Sequence, residues 1–504
     1  MDRRQFVSSV TALGALSLAQ ASAAAIDPVR EIVIWPERSL GAFPHYWEAC
    51  AGSGHAALAL RAQWQKDLEV VHRQVGIRAV RFHGILNDDL AVCTGVGPEG
   101  PQTNFLFVDE IYDRMLEIGV KPFVELGFMP GPLASSDNTV FWYRGNFSLP
   151  RSMGDWQRLV AALAQHLVGR YGLEEVAQWR FECWNEPNLC FWAGSQAQYF
   201  ELYRHTAAAL KGVSPRLQVG GPASAQMMWI ADFLADCAKY RTPVDFVSSH
   251  IYPDDPQENV FGRDQGYPPE QVMPRALQRA NEQIRASAFP HLPLVISEWS
   301  STDPAFIAQM IRDCAGLAET MSYWTFSNVF EEQGPNRQFM NSTYGLLGTR
   351  GIARPSFRTF TLLHRLGAQR VAAGDGPVLA TRRSDGSLAV MAWHLDTSRA
   401  DNRGAGNPVA KVIDERLDDG LALPLRLRLD GVSQAIAKVT VVDPARDPVA
   451  LAYAAMGSPP YPSVTQIREL QRAGESQVSS EEPVKAGYLD LVLPPRSVAL
   501  VELD

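Results

Sequence analysis

Between about residues 41 and 330, short apolar runs alternate with longer stretches whose apolar residues recur at i, i+3 and i+4. The first kind reads as buried strands, the second as amphipathic helices. The predicted strands are YWEACAG (46–52), GIRAVRFHG (76–84), KPFVELGF (121–128), QWRFECWNE (178–186), RLQVGGP (216–222), VDFVSSHIY (244–252), PLVISEWS (293–300) and MSYWTFSN (321–328). Helical patterns such as ALALRAQWQKDLEVVHRQV, DWQRLVAALAQHLVGRYG, QAQYFELYRHTAAALK and PEQVMPRALQRANEQIRASA lie between them. Strand-then-helix repeated eight times predicts an α/β fold, a (β/α)8 TIM barrel spanning residues 26–360. From about residue 361 to 504 the pattern changes to alternating, β-branched runs such as SLAVMAWHL, LPLRLRLDGV, AKVTVVD and GYLDLVLPPRSVALVEL, with little helix. That predicts a small antiparallel β-sandwich. REIVIW (30–35) is a spare strand before the barrel, free to cross over and join that sheet.

Composition narrows the class. The chain has 504 residues, 46% hydrophobic and 20% charged, which suits a globular protein of two or three domains. Its net charge of −9 and the lack of a basic run argue against a nucleic-acid partner. MDRRQFVSSV pairs two arginines ahead of an apolar stretch, and AQASAAA supplies small residues for cleavage, so residues 1–25 resemble a twin-arginine export signal to the periplasm. If that signal is silent, the address is the cytoplasm. Beyond it, no apolar run is long enough to span a membrane. Six cysteines without a CxxC pair make a disulfide framework an unlikely design. Nothing in the sequence fixes the oligomeric state.

In such a barrel, functional groups collect at the C-terminal ends of the strands. There the sequence places Arg81 and His83, Asn185 and Glu186, His250 and Tyr252, Glu298, and Trp324, with Glu331 and Glu332 in the loop beyond. Cleaving an acetal needs a proton for the leaving oxygen and electron density for the developing oxocarbenium carbon, which two carboxyls in different environments supply. Glu186, among Trp184, Phe191 and Trp192, suits the protonated role, and Glu298, within reach of Tyr252, the ionised one.

FECWNEPNLCFW (181–192) and VISEWSS (295–301) resemble the acid/base and nucleophile segments of the large glycosidase clan built on (β/α)8 barrels. With RFHGILNDD, FVELGFMP, FWYRGNFS, DFVSSHIYP and YWTFSNVFEE, they resemble glycoside hydrolase family 39, which contains β-xylosidases and α-L-iduronidases. The similarity runs in order over about residues 40–360. It implies a cofactor-free retaining enzyme with Glu186 as general acid/base and Glu298 as nucleophile. It further implies sugar contacts from Asn185, His83, His250, Trp142, Phe141, Trp324, Glu331 or Glu332, and His55, with Tyr252 steadying Glu298. Iduronidase-like members carry lysine where Tyr252 stands, so tyrosine favours a neutral sugar, and the β-xylosidase branch implies xylooligosaccharide as substrate. The alternatives are another neutral glycoside (β-glucoside or α-arabinoside), an iduronidase-like uronide, and a barrel that binds glycans without cleaving them. A metal centre from His83, Glu186, His250 and Glu298 is disfavoured, since no HExxH-like spacing occurs.

Overall fold

A computed structural model describes residues 29–340, 344–396 and 421–503. The expected export signal lies outside them. Eight parallel strands close the barrel: β2 (Ala51–His55), β3 (Ala79–His83), β4 (Lys121–Leu126), β5 (Arg180–Cys183), β6 (Gln218–Ser224), β7 (Phe246–His250), β8 (Leu294–Trp299) and β9 (Thr320–Tyr323). Each pairs with the next in sequence, and β9 closes onto β2. The first strand starts later than the periodicity predicts. Tyr46–Glu48 is a single 3-10 turn, and the strand proper is AGSGH. A Cβ on Gly52 would sit 2.2 Å from the Trp324 ring, so the glycines that weaken the strand signal are what let an indole lie against the barrel wall.

Helices wrap the outside, among them α1 (Ala62–Val75), α2 (Leu106–Ile118), α3 (Met153–Tyr171), α4 (Gln196–Val213), α5 (Ile230–Tyr240), α6 (Pro269–Ala286), α7 (Pro304–Asp313) and α8 (Pro355–His364). Their ends follow local chemistry. Ser195 and Gln198 form a capping box on α4, and Gly76 ends α1 at φ 78°, a left-handed conformation that glycine takes without a Cβ penalty.

The interior of the barrel is apolar only at its floor, where Cys50, Phe123, Phe246 and Val295 pack together. Two residues further along their strands stand Glu125, Ser248 and Ser297, all buried. The alternation that points Phe123 inward points Glu125 inward too.

The second unit is a nine-stranded sheet: β15–β14–β17–β12–β11–β10–β1–β13–β16. Here β1 is Arg30–Ala42, β10 Gln369–Ala373, β11 Val378–Arg382, β12 Leu388–Trp393, β13 Leu423–Leu429, β14 Ile436–Val442, β15 Val478–Pro483, β16 Tyr488–Leu493 and β17 Val498–Leu503. All pairs are antiparallel except β1 with β13, so the strand from the N-terminal side enters this sheet rather than the barrel. Alternation splits β12 in two: Leu388, Val390 and Ala392 pack against β1, β13 and β16, while Ala389, Met391 and Trp393 join the barrel's core. Two helices missing from the sequence reading, α9 (Pro448–Ala455) and α10 (Val464–Glu475), sit between β14 and β15. They bury little beyond Val449 and Leu470, and α9 (PVALAYAA) is apolar almost throughout, which leaves no helical period to read.

At the opposite end of the barrel from the strand tips, Glu48 Oε1 accepts from His45 Nδ1 at 2.6 Å and His364 Nδ1 at 2.8 Å, clasping the segment before β2 to the end of α8.

Candidate active site

β5 ends at Cys183, and the chain then turns through Trp184 and Glu186 at φ 72° and 44°. Non-glycine residues hold such angles only when their surroundings over-determine them. Here the Glu186 N–H donates to Ala223 O at 2.8 Å, and the Trp184 indole donates to Phe191 O at 2.7 Å. The carboxyl of Glu186 thereby reaches His250, whose Nδ1 lies 3.0 Å from Oε1.

Glu298 arrives by a different device. On β8, Val295 and Ser297 face inward, and strict alternation would send Trp299 in after them. The pairing with both neighbours slips just there, between Ser249 and His250 on one side and between Ile296 and Trp299 on the other. The slip turns Glu298 inward and leaves Trp299 outside against Tyr323 and Phe360. Glu298 Oε1 accepts from Arg81 Nη1 at 2.7 Å, and Oε2 accepts from the Tyr252 hydroxyl at 2.8 Å. His250 Nδ1 is 3.6 Å from Glu298 as well, and oxygens of Glu186 and Glu298 lie within 4.8 Å of each other and of that nitrogen.

The two carboxyls differ in company. Burial pushes Glu186 up to about 7, opposed by His83 and reinforced by Glu332. Burial also raises Glu298, but two donors are bonded to it and the Arg81 charge adjoins it. His250 is driven down to about 4 by its own burial, so it is neutral near pH 7 and Arg81 is the cation hydrogen-bonded to Glu298. Arg81 also donates to Glu182 at 2.5 Å and Asn185 Oδ1 at 3.0 Å, and pairs with Glu125 at 2.9 Å. Against its burial, Arg81 holds Glu182 below the ordinary carboxylate range. Burial alone would lower His83, yet Glu125, bonded to its Nδ1 at 2.6 Å, raises it to about 10 and keeps it an imidazolium.

Most residues singled out from the sequence meet here. Asn185 leaves its Nδ2 uncommitted to any partner among the described residues. Trp324 lies 4.7 Å from the His83 ring, and Phe141 lies nearly parallel to that ring at 6.1 Å. Glu332 Oε1 is 3.6 Å from His83 Nε2. Glu331 turns away and pairs with Arg61. His55 stands one ring back, stacked on Tyr143 at 4.1 Å and bonded to Asp89 at 2.7 Å. Trp142 is 62% exposed, held at the rim by its N–H to Glu332 O, and so does not line the cavity beside the carboxyls.

Arg81 was visible at a strand end without a role. Glu125, Glu182 and Tyr143 escaped the sequence reading. For the two glutamates the signal was a charge in the middle of an otherwise apolar strand, where solvent is out of reach; Tyr143, in the loop after β4, carried none. Glu186, His250 and Glu298 offer three ligand atoms to a cation, but Arg81 and Tyr252 already occupy both oxygens of Glu298, so the set fits a metal poorly.

Buried carboxyls of unequal basicity at the mouth of a (β/α)8 barrel define a glycosidase-type site. The family model "Glycosyl hydrolases family 39" matches residues 30–489, and the chain belongs to that family. It is 34% identical to the β-xylosidase of Geobacillus stearothermophilus, over 94% of this chain and 95% of that one. It is 35% identical to the β-xylosidase of Caldicellulosiruptor saccharolyticus, over 94% and 98%. A crystal structure described as a monomeric β-xylosidase from Caulobacter crescentus CB15 superposes with a TM-score of 0.81 at 33% identity, over 94% of this chain and 99% of that one.

Proposed function

We propose that the protein is an exo-acting β-xylosidase that releases xylose from the non-reducing ends of β-1,4-xylooligosaccharides with net retention. The observation that carries this reading is the approach of Glu186 and Glu298 to within 4.8 Å around His250, in keeping with the roughly 5–5.5 Å separation of retaining enzymes. Glu298, ionised beside Arg81 and oriented by Tyr252, attacks the anomeric carbon. Glu186, kept protonated to about pH 7, gives its proton to the departing oxygen. It then takes a proton from the water that hydrolyses the glycosyl-enzyme. Asn185 Nδ2 donates to the sugar's 2-hydroxyl, a bond that strengthens as charge develops. His83, Glu332 and Trp324 hold the ring.

A neutral sugar is favoured because both cations at the site, Arg81 and His83, are already matched by carboxylates. A uronate would meet Glu125, Glu182, Glu298 and Glu332 without a partner of its own. Residues 1–25 would export the folded enzyme, which fractionation of cells with Arg3 and Arg4 replaced by lysine would check.

The test is a panel of 4-nitrophenyl β-xyloside, β-glucoside, α-arabinoside and an iduronide, scored by initial rate, with the first-released anomer read by NMR. Fastest turnover of the xyloside with retention is expected. Preference for the iduronide would refute the charge argument, and inversion would refute the double displacement.

A further inference from the structure

Tyr252 and His250 flank Glu298 from the β7 side, and the remaining groups gathered near it come from one arc of the barrel: His83 from β3, Tyr143 from the loop after β4, Trp324 and Glu332 from beyond β9. On the double-displacement reading, on which this inference rests, the ring being cleaved occupies that arc. The leaving sugar then departs past Glu186, towards the loops after β6 and β7.

Those loops are built in a costly way. Ala223, Gln226, Met227 and Trp229 all have positive φ, at 53°, 62°, 55° and 63°. The turn is clamped by Asn188, from the same loop as Glu186: Ala225 N donates to its Oδ1 at 2.8 Å, and its Nδ2 donates to Ala225 O at 3.1 Å. Backbone of this kind clusters at ligand clamps. Within the turn, Gln226 Oε1 is buried and has no hydrogen-bond partner among the described residues. A buried acceptor left unpaired is costly, and a hydrogen bond from a ligand hydroxyl would recover that cost.

Asp255 stands beside it. Its Oδ2 accepts the Tyr252 N–H at 2.8 Å, which ties it to the residue that orients Glu298. Burial pushes its carboxyl up to about 7, with Glu186 adding to the rise and the Gln226 amide opposing it, so the three groups share one neighbourhood. A carboxyl half protonated near neutral pH can give or take a hydrogen bond, which suits a hydroxyl.

We propose that Gln226 and Asp255 form the subsite for the leaving sugar ring, bonding its hydroxyls and favouring a second pyranose over an apolar aglycone. The ratio of kcat/KM on β-1,4-xylobiose to kcat/KM on 4-nitrophenyl β-xyloside reads this directly. In Gln226→Met the ratio should fall about tenfold, the size of one neutral hydrogen bond. Asp255→Asn, which keeps an acceptor for the Tyr252 N–H, should lower it in the same direction. A ratio within about twofold of the unmodified enzyme in both variants overturns the proposal. The unmodified enzyme gives an independent reading should Gln226→Met fail to fold: xylose as acceptor should intercept the glycosyl-enzyme better than methanol at equal concentration, and equal interception overturns the subsite. Were the enzyme to cleave another glycoside instead, the xylose reading would fall, and the same ratio would be taken on that sugar's disaccharide and nitrophenyl glycoside.

Discussion

β8 and β12 are each six residues long, end in tryptophan and are buried throughout. LAVMAW satisfies burial in the ordinary way, with one apolar row against the sheet's own core and the other against the barrel. LVISEW does not. It carries Ser297 and Glu298 into an interior that also holds Arg81, Glu125 and Glu182. Burying charge is expensive unless it is paired, and replacing such networks by apolar groups often leaves a fold as stable or more so. The contrast therefore separates what keeps the molecule folded from what it is folded for.

Four experiments press on that contrast. The largest effect is expected at Glu298→Ala, which should lower kcat by about 10⁴-fold or more while the thermal midpoint moves little, since the loss is of chemistry and not of packing. A collapse of the fold in that variant would mean that Glu298 is structural in the way Met391 is.

Glu186→Gln should lower kcat/KM by about 10²–10⁴-fold on xylobiose and far less on an activated aryl xyloside, whose leaving group needs no proton. It should also raise stability at alkaline pH. The folded-state pKa of Glu186, about 7, lies above its ordinary value, so the wild type loses stability as pH rises through that interval and the amide does not. The thermal midpoint of the variant should exceed that of the wild type by roughly 2–4 °C at pH 8 and converge with it below about pH 4. Equal slowing on both substrates would count against the acid role.

Met391→Ala is the mirror image. Removing a fully buried side chain from the barrel–sheet interface should cost about 2–5 kcal/mol in urea unfolding, with kcat per folded molecule unaltered. A changed kcat would show that the sheet takes part in the site.

The smallest effect concerns the clasp at Glu48. Burial would raise that carboxyl, yet hydrogen bonds from His364 and His45 hold it below its ordinary value, and Glu48 in turn raises His364. The histidine's contribution is complete below its unfolded pKa and lost as pH rises through its folded one; the carboxylate's is lost as pH falls through its own lowered value. The stability gap between wild type and His364→Ala should be under about 1 kcal/mol at pH 6 and close at pH 9. A gap that widens with pH would refute the pairing.

The barrel was readable because strand and helix patterns alternate along the chain, and both carboxyls because each lies near or just beyond the C-terminal end of a strand. What escaped reading depends on groups meeting across space. Arg81 gains its role only when β3, β4, β5 and β8 close around it. Glu331 and Glu332 are adjacent in sequence, and only the loop's path sends one to Arg61 and the other towards His83. AGSGH lacks strand propensity because Trp324 needs the room, and α9 and α10 were hidden by how little they bury.

The slipped pairing on β8 gives the site an arithmetic as well as a chemistry. Were β8 to keep strict alternation through Trp299, the protein would hold every functional group it has now and yet present indole to the cavity and send the carboxylate outward. Here the count of residues before Glu298 matters as much as the glutamate itself.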